Sequence, residues 1–400
     1  MKYDLIIVGA GISGCVCALS ALKNNVENIL IIEKSDIPGG SISPKIDFAE
    51  EIGIKQIFKE LNLPVYNKTN RSIWISPSGI EFEFISKIKD IWIKRGPSND
   101  SFDYKLIQKL KDSGIDILFS TIGLRISTNN IKTKSIDNGK INKFEGKIFV
   151  DASGLKSIIS KNIAKPPYTD IFGFGFWGYN FDNLEKDVPY ILFDQNFANG
   201  SYILLNVDSK NETGYLICGT NDRKNMNYKK EFVKFIKSHN FLKNVTKNVL
   251  IKGYISGHLY SIHSIPTTYQ LNNMIIVGDA ARFMDPFLHY GIQPSIISGY
   301  LAGKSISEYF YGESDLTKYT KLINDTIIKY LKKRIIYRKI FDKFKNNDID
   351  KIFELINQFY YSGCNIDDFF ENPLRYLPSL ISISFKNSST IFSLFKTIIK

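Results

Sequence analysis

The sequence contains little cysteine and histidine, and this scarcity excludes two classes of protein. Four residues of each type are spread over 400 positions, and the cysteines (Cys15, Cys17, Cys218 and Cys364) form no CxxC pair. Neither a disulfide framework nor a zinc site is indicated by this spacing. We therefore expect no bound metal and a reducing compartment.

Long apolar runs are also absent. No segment reaches the roughly 18 consecutive apolar residues that a membrane-spanning helix needs. The first residues, MKYDLIIVGAG, lack the apolar core and the cleavage site of a signal peptide. A cytoplasmic protein is expected, and a peripheral position on the inner face of the cell membrane is the alternative.

The composition is that of a globular protein, with 44% hydrophobic and 23% charged residues. The net charge of +12 favours anionic partners, among them phosphorylated substrates and lipid headgroups. The net charge is the only feature that would favour binding to nucleic acid, so we expect no nucleic-acid partner.

The N-terminus carries a dinucleotide-binding pattern. An apolar strand from Tyr3 to Val8 leads into a glycine-rich turn and then into a helix of small apolar residues from Cys15 to Leu22. This is GxGxxG in the setting that the motif requires. The predicted cofactor-binding residues of this turn are Gly9, Ala10, Gly11, Ser13 and Gly14, of which Gly9 permits the turn, Gly11 admits a pyrophosphate and Gly14 allows close helix packing.

A second strand, Ile29–Ile32, ends in Glu33, nineteen residues after Gly14. A carboxylate at this point accepts hydrogen bonds from ribose hydroxyls, which favours FAD or NAD over NADP. The following loop contains Lys34, Gly40 and Ser41, and we predict that it closes over the pyrophosphate. A plain turn is the alternative for this loop.

A third pattern lies far along the chain, where the short strand Met274–Val277 runs into Gly278 and Asp279. Open α/β sheets bind ligands at the carboxyl ends of their strands. A helix is predicted from about Gln293, with Ile296, Ile297, Tyr300 and Leu301 on its apolar face. Its N-terminus is directed at the loop and offers free N–H groups to a ligand.

Residues 170–257 lie between these patterns. Apolar and polar residues alternate there and aromatic residues are frequent, which predicts a largely antiparallel sheet with turns near Asn199-Gly200 and Asn211–Gly214. A second GxGxxG, Gly173–Gly178, lacks a preceding strand and a following small-residue helix. We therefore interpret it as part of a strand and not as a nucleotide site.

Beyond Ser314 the pattern is helical and basic. Ile323, Ile327, Leu331 and Ile335 form one stripe among many lysines and arginines. A helix packed on the body with a solvated charged face is one interpretation, and contact with a membrane is the other. The apolar tail from Ser379 fits either.

With the N-terminal glycine motif, the Asp151-Ala152-Ser153-Gly154 turn and the Gly278-Asp279 loop in place, the chain resembles the FAD-dependent monooxygenase-like superfamily, which includes geranylgeranyl reductases. The segment GDAARFMDPFLHYGI is most similar to the archaeal geranylgeranyl reductase family, which saturates isoprenoid chains of membrane lipids. The resemblance spans roughly residues 1–310. It implies FAD as the cofactor, Asp279 after Gly278 on the flavin ribityl chain, and the backbone at Gly291 and Ile292 facing the isoalloxazine ring.

Several positions depart from the family pattern. The family's Arg-Cys-Gly run is replaced by Ser41-Ile42-Ser43-Pro44, and His289 and Tyr290 stand where relatives have glycines before the ring. The segment SFDYKLIQKL, with Phe102 and Asp103, resembles the family's Phe-Asp helix. The arginine usual three residues before that pair is Asn99 here, so Arg95 is predicted to take its place at the cofactor.

The resemblance implies an α/β fold: a Rossmann-type FAD-binding domain of the p-hydroxybenzoate hydroxylase-like superfamily, with an inserted antiparallel β-sheet substrate domain and a C-terminal helical region. We expect the discontinuous FAD-binding domain at residues 1–68, 95–168 and 262–312. The substrate domain is expected at residues 69–94 and 169–261, and the helical region at residues 313–400.

The function expected on this basis is reduction of C=C bonds of geranylgeranyl chains by hydride transfer from reduced flavin. His289 and Tyr290 are the candidate proton donors, although packing against the flavin explains them equally well. Since no second nucleotide motif is present, electrons are expected from a separate carrier protein or from NAD(P)H. The alternatives are a flavin monooxygenase or halogenase, and a flavin-bound membrane or assembly factor without turnover.

Overall fold

The computed structural model describes residues 2–40, 42–158, 168–197, 202–220, 228–262 and 268–361. The chain divides into two compact units. The first contains Met1–Lys68, Asp90–Asp170 and His258–Ile335, and the second contains Thr69–Lys89, Ile171–Gly257 and Ile336–Lys400. The chain thus leaves the first unit three times and returns to it twice.

The strands follow one another in chain order as β1 (Lys2–Val8), β2 (Ile29–Ile32), β3 (Lys45–Glu50), β4 (Asn67–Ile75), β5 (Glu81–Arg95), β6 (Asp116–Leu118), β7 (Thr121–Ile126), β8 (Asn130–Ser135), β9 (Ile141–Asp151), β10 (Tyr168–Tyr179), β11 (Tyr190–Phe193), β12 (Tyr202–Val207), β13 (Gly214–Thr220), β14 (Leu250–Ile262), β15 (Gln270–Leu271) and β16 (Met274–Ile276). The helices are α1 (Ile12–Lys23), α2 (Lys55–Glu60), α3 (Phe102–Asp112), α4 (Tyr228–Ser238), α5 (Asn240–Val245), α6 (Ile292–Phe310), α7 (Thr317–Ile323), α8 (Lys329–Phe341) and α9 (Asn346–Tyr361).

The first unit is built on a parallel sheet in the order β16-β9-β1-β2-β6. Its central strand β1 is apolar and buried from Leu5 to Val8, as expected for a parallel strand covered on both faces. An antiparallel extension, β7-β8-β9, continues from one end of β9. This is the Rossmann-type arrangement that the N-terminal pattern predicts.

Helices α1 and α6 cross at very short distance on this sheet. A Cβ on Gly299 would lie 2.3 Å from the carbonyl oxygen of Ser13, and a Cβ on Gly303 would lie 2.5 Å from that of Cys17. The sequence predicts that α6 packs through its isoleucine, tyrosine and leucine side chains, but its closest contact with α1 is made by these glycines. The short distance brings the start of α6 beside the N-terminal glycine turn.

Two strands of the first unit form a small antiparallel pair that matters for the site. Strand β3 pairs with the last six residues of β5, so that Lys45 lies opposite Arg95 and Glu50 lies opposite Asp90. The aromatic pair Phe48 and Trp92 is buried between these ends, with ring centroids 4.8 Å apart.

The second unit contains a sheet in the order β14-β10-β13-β12-β11-β4-β5. Its pairs β10·β13, β12·β13 and β11·β12 are antiparallel, as predicted, whereas β11 and β4 pair in parallel. The second GxGxxG lies within β10, where Phe174 is opposite Cys218, which confirms that it is a strand. The predicted turn at Asn199-Gly200 lies outside the described residues.

Helices α4 and α5 interrupt the region that the sequence predicts to be sheet. Phe232, Phe235 and Ile236 recur at helical spacing and are buried in the core of the second unit. Because the residues around them alternate as in a strand, this short helical periodicity is not apparent in the sequence.

The C-terminal helices follow the predicted stripe. Ile323, Ile327, Leu331 and Ile335 are all buried, and a π-helical turn, Asn324–Ile328, joins α7 to α8. Lysines of α8 such as Lys332 and Lys333 are exposed.

The arginines of α8 do not lie on a solvated face. The side chain of Arg334 is 15% exposed, and Arg338 is 4% exposed. The interpretation of a solvated charged face is therefore wrong for Arg334 and Arg338. None of the helices among the described residues is long and apolar enough to cross a membrane, and the tail from Ser379 lies outside the described part of the chain.

Candidate flavin site

The N-terminal glycine turn joins β1 to α1, and two of its glycines are required by the protein itself. Gly9 has φ +108, and a Cβ there would lie 2.3 Å from the carbonyl oxygen of Ala152. A Cβ on Gly14 would lie 2.0 Å from the carbonyl oxygen of Gly9. These contacts hold α1 tightly against β1 and β9.

Gly11 is different, because nothing in the protein requires a glycine there. Its φ is −73, which any residue adopts, and a Cβ would meet no atom within 4 Å. Open space in front of this backbone fits the close approach of a pyrophosphate, for which the second glycine of the motif is needed. The N-terminal amides of α1 add donors for the same anion.

Glu33 ends β2 and is held in place by two backbone amides. Its Oε2 accepts a 2.7 Å hydrogen bond from Ala10 N, and its Oε1 accepts a 2.8 Å hydrogen bond from Ser35 N. Each carboxylate oxygen retains acceptor capacity. Glu33 is thus fixed beside the glycine turn in an orientation that can accept the hydroxyls of an adenosine ribose.

The loop that follows Glu33 turns at Gly39, which has φ +66 and whose Cβ would lie 2.5 Å from the carbonyl oxygen of Gly96. Lys34 and Gly40 are exposed along it, and their contact with a pyrophosphate stays a prediction. Ser41 lies outside the described residues.

The second half of the site comes from the end of β16. Gly278 has φ +58, and a Cβ there would lie 2.5 Å from Ser13 Oγ on α1. Its amide donates a 3.0 Å hydrogen bond to Ser298 Oγ of α6. Gly278 is therefore wedged between the two helices, and this contact places Asp279 next to the glycine turn. Ser13 is buried in this contact.

Asp279 presents an unsatisfied carboxylate. Among the residues that the structure describes, none donates a hydrogen bond to it. Burial raises its pKa, while the nearby cations Arg95, Lys45 and Arg282 act in the opposite direction. Asp279 is half-buried, and a partly desolvated acceptor without a partner is costly. A ribityl hydroxyl of a bound flavin would satisfy it. The residues present thus fit FAD at both ends of the cofactor.

The backbone at Gly291 and Ile292 begins α6. The point where a Cβ of Gly291 would lie is 3.3 Å from Asp279 Oδ1, so a larger residue would crowd the carboxylate. The first amides of a helix have no intrahelical acceptor and carry partial positive charge. This end of α6 can therefore stabilise negative charge on a flavin ring beside Asp279.

His289 and Tyr290 lie directly before this helix end. His289 has φ +57, the left-handed region that favours glycine. The carbonyl of Tyr290 accepts a 2.9 Å hydrogen bond from Asp285 N. Burial, followed by the nearby Asp90 and Asp285, raises the pKa of the Tyr290 hydroxyl. No described residue forms a hydrogen bond with that hydroxyl.

Arg95 does not extend freely toward a ligand. Its Nε donates to Asp103 Oδ2 at 2.9 Å, its Nη2 donates to Asp103 Oδ1 at 2.9 Å, and its Nη1 donates to Asp47 Oδ2 at 3.2 Å. Its charge nevertheless acts on Asp279. In the structure Arg95 is a buried residue of β5 whose side chain binds α3. Its direct contact with the cofactor stays a prediction.

Sequence reasoning missed three residues that shape this site. Asp103 was visible as part of the Phe-Asp pair, but its role as the partner of Arg95 depends on the fold. Lys45 and Ser298 belong to no motif, and only the tertiary contacts bring them beside Asp279 and Gly278.

Comparison with known proteins supports this assignment. A family model described as FAD dependent oxidoreductase matches residues 4–161. A digeranylgeranylglycerophospholipid reductase of Methanocaldococcus jannaschii is 25% identical over 396 residues, which cover 95% of this chain and 96% of the relative.

Solved structures show the same fold. A geranylgeranyl bacteriochlorophyll reductase-like protein from Thermoplasma acidophilum matches with a TM-score of 0.78 and 18% identity over 99% of both chains. A myxobacterial FAD-dependent chondrochloren halogenase matches with a TM-score of 0.65 and 15% identity over 84% of this chain and 79% of its own. The comparisons confirm the predicted fold class, the FAD cofactor and the resemblance to geranylgeranyl reductases.

Proposed function

We propose that this chain, an FAD-dependent oxidoreductase, saturates C=C bonds in the isoprenoid chains of membrane lipids. The observation that carries the proposal is the match over nearly the whole of both chains to a protein named digeranylgeranylglycerophospholipid reductase. The likeness to halogenases is of the fold alone. Fold does not determine the reaction, so the nearly complete match to a reductase favours reduction over oxygenation.

The chain supplies position and electrostatics for the cofactor. Gly11 would leave room for the pyrophosphate of a bound FAD, Glu33 would accept from its adenosine ribose, and Asp279 would accept from its ribityl chain. Gly291, at the start of α6, would face the ring. A bound reduced flavin supplies a hydride at its ring, and these groups fix where that hydride is delivered.

The second carbon of the double bond needs a proton, and we assign this role to Tyr290 or His289. An isolated alkene is a poor hydride acceptor, so a positioned acid contributes to the step. The Tyr290 hydroxyl is protonated at neutral pH, as an ordinary tyrosine is, and burial raises its pKa further. His289 is held beside it by an unusual backbone conformation.

Electrons must reach the flavin from outside the chain. The second GxGxxG is a β-strand, so it offers no nucleotide-binding turn. We propose a separate reduced carrier protein or transiently bound NAD(P)H as the donor, and a peripheral encounter with the membrane as the route to the lipid substrate.

The experiment is anaerobic turnover of the purified FAD-loaded protein with dithionite and a geranylgeranyl lipid, followed by mass spectrometry. A gain of two hydrogens per double bond is expected, and in D₂O both should be deuterium, because dithionite supplies only electrons and the hydrogen that reduced flavin donates comes from solvent. A product that forms only with oxygen and gains an oxygen or halogen atom would replace the proposal by monooxygenase or halogenase chemistry. Absence of product both with and without oxygen, across a panel of prenyl lipids, would refute it.

A further inference from the structure

A buried aspartate controls the loop that lies between Asp279 and α6. Asp285 is 1% exposed and accepts several hydrogen bonds. Its Oδ1 accepts from Phe287 N at 2.7 Å, and its Oδ2 accepts from Tyr330 Oη at 3.0 Å and from Arg334 Nε at 2.7 Å. Arg334 Nη2 lies 2.6 Å from the same oxygen.

The loop is closed on its other side by the backbone. Asp285 N donates to the carbonyl of Tyr290 at 2.9 Å, so residues 285–290 form a compact turn with His289 in the left-handed conformation. Asp285 thus binds both the turn that carries Tyr290 and helix α8.

The guanidinium of Arg334 also packs on an aromatic ring of this turn and on one of its own helix. It lies 5.2 Å from the ring centroid of Phe287 and 5.4 Å from that of Tyr330. These are cation–π distances, and such contacts are strongest where water is excluded. Arg334 on α8 therefore holds the loop through its ion pair with Asp285, which includes the hydrogen bond from Nε, and through its contact with the ring of Phe287.

We propose that Arg334 and Tyr330 are positioning residues of the flavin site. Through Asp285 they fix the turn that carries His289 and Tyr290, and thereby the direction in which the start of α6 meets the flavin ring. Their relevance to lipid reduction rests on the function proposed above. Their relevance to flavin binding does not, because the turn adjoins Asp279 and Gly291 whatever the substrate is.

The test compares Tyr330→Phe, Arg334→Met and Arg334→Lys with Lys333→Met, a control on the exposed side of the same helix. The readouts are the visible circular dichroism of bound FAD, the Kd for FAD, the thermal midpoint, and the kcat and KM for the lipid. Tyr330→Phe removes one oxygen atom and is expected to fold.

The expected result is an altered flavin circular dichroism spectrum and at least a tenfold loss of kcat in Arg334→Met, with KM changed less than threefold. Arg334→Lys should recover part of both, and Tyr330→Phe should show a smaller loss in the same direction. Lys333→Met should match the wild type. Wild-type spectra and kcat in Tyr330→Phe and Arg334→Lys would overturn the proposal, even if Arg334→Met fails to fold.

The two proposals fail in different ways. If no variant, including the wild type, reduces the lipid, the proposed substrate is wrong, and the flavin spectra still decide the role of Arg334. If lipid reduction is intact and the spectra are unchanged, the ion pair serves only the stability of the fold.

Discussion

The amide of Ala10 donates a 2.7 Å hydrogen bond to Glu33 Oε2, and this contact joins the glycine turn to the acidic end of the next strand. A carboxylate that is already aligned by two amides requires little reorganisation when a ribose binds. The same contact makes Glu33 part of the protein's own structure as well as part of the site.

Replacing Glu33 by Gln is expected to weaken FAD binding. A charged acceptor contributes about 1.5–3 kcal/mol through its hydrogen bonds, which corresponds to about tenfold to a hundredfold in Kd. Titration of apoprotein with FAD, followed by flavin fluorescence, measures the effect. Glu27→Gln, on the exposed turn before β2, is the matched control. An unchanged Kd in Glu33→Gln would show that the ribose is held elsewhere.

Substitutions at two glycines of the N-terminal turn are expected to affect different properties, one the affinity for FAD and the other the stability of the apoprotein. Gly11→Ala places its Cβ in open space, so the thermal midpoint of the apoprotein should stay within about 2 °C of the wild type while the Kd for FAD rises. Gly14→Ala places its Cβ 2.0 Å from a carbonyl oxygen and should destabilise the apoprotein by about 1–3 kcal/mol or more. Equal effects of the two variants on apoprotein stability would contradict this division.

The backbone strain at His289 predicts an unusual order of stability. His289→Ala and His289→Gly both remove the side chain, but only glycine adopts φ +57 without penalty. Since a left-handed conformation costs an L-residue about 1–2 kcal/mol, the glycine variant should unfold at higher urea concentration than the alanine variant. An alanine variant of equal or greater stability would rule out strain at this position.

Asp90 should make stability depend on pH. Burial, followed by Glu50 on the opposite strand, raises its pKa to about 7, above the value of about 3.9 in an unfolded chain. The folded state therefore binds the proton more tightly, and its contribution to stability is lost as the pH rises from about 4 to about 7.

Asp90→Asn removes this penalty. The variant should gain stability relative to the wild type at pH 8, by at most about 4 kcal/mol at about 1.4 kcal/mol per pKa unit, and should match it at pH 4. Urea unfolding at both pH values measures the difference, with the exposed Asp137→Asn as control. A gain that is the same at both pH values would show that Asp90 does not titrate between them.

The sequence predicted the parts of the site that depend on local pattern. Glycine spacing after an apolar strand marks Gly9–Gly14 because the turn, the helix and the strand are contiguous. Glu33 and Asp279 follow from the rule that ligands gather at carboxyl ends of parallel strands. Helices α4 and α5 were missed because their apolar positions are embedded in a region with strand-like alternation.

Other features depend on partners that are distant in sequence. The basic sequence around Arg334 favours a solvated or membrane-facing side of α8, whereas its partner Asp285 lies 49 residues earlier. The contact of α6 with α1 through Gly299 and Gly303 was likewise invisible, because small residues give no signal in a hydrophobic pattern. Such contacts follow from the packing of elements, which local propensity does not determine.

The close crossing of α1 and α6 has a consequence for biosynthesis. Ser13 is contacted by Gly278 and Gly299, so the first half of the flavin site is completed by residues made more than 260 positions later. The N-terminal glycine turn is synthesised early, but the flavin site is incomplete until α6 has left the ribosome and packed against α1. Nascent chains that stop before α6 should therefore emerge from the ribosome without flavin, and FAD capture should coincide with the final stage of folding.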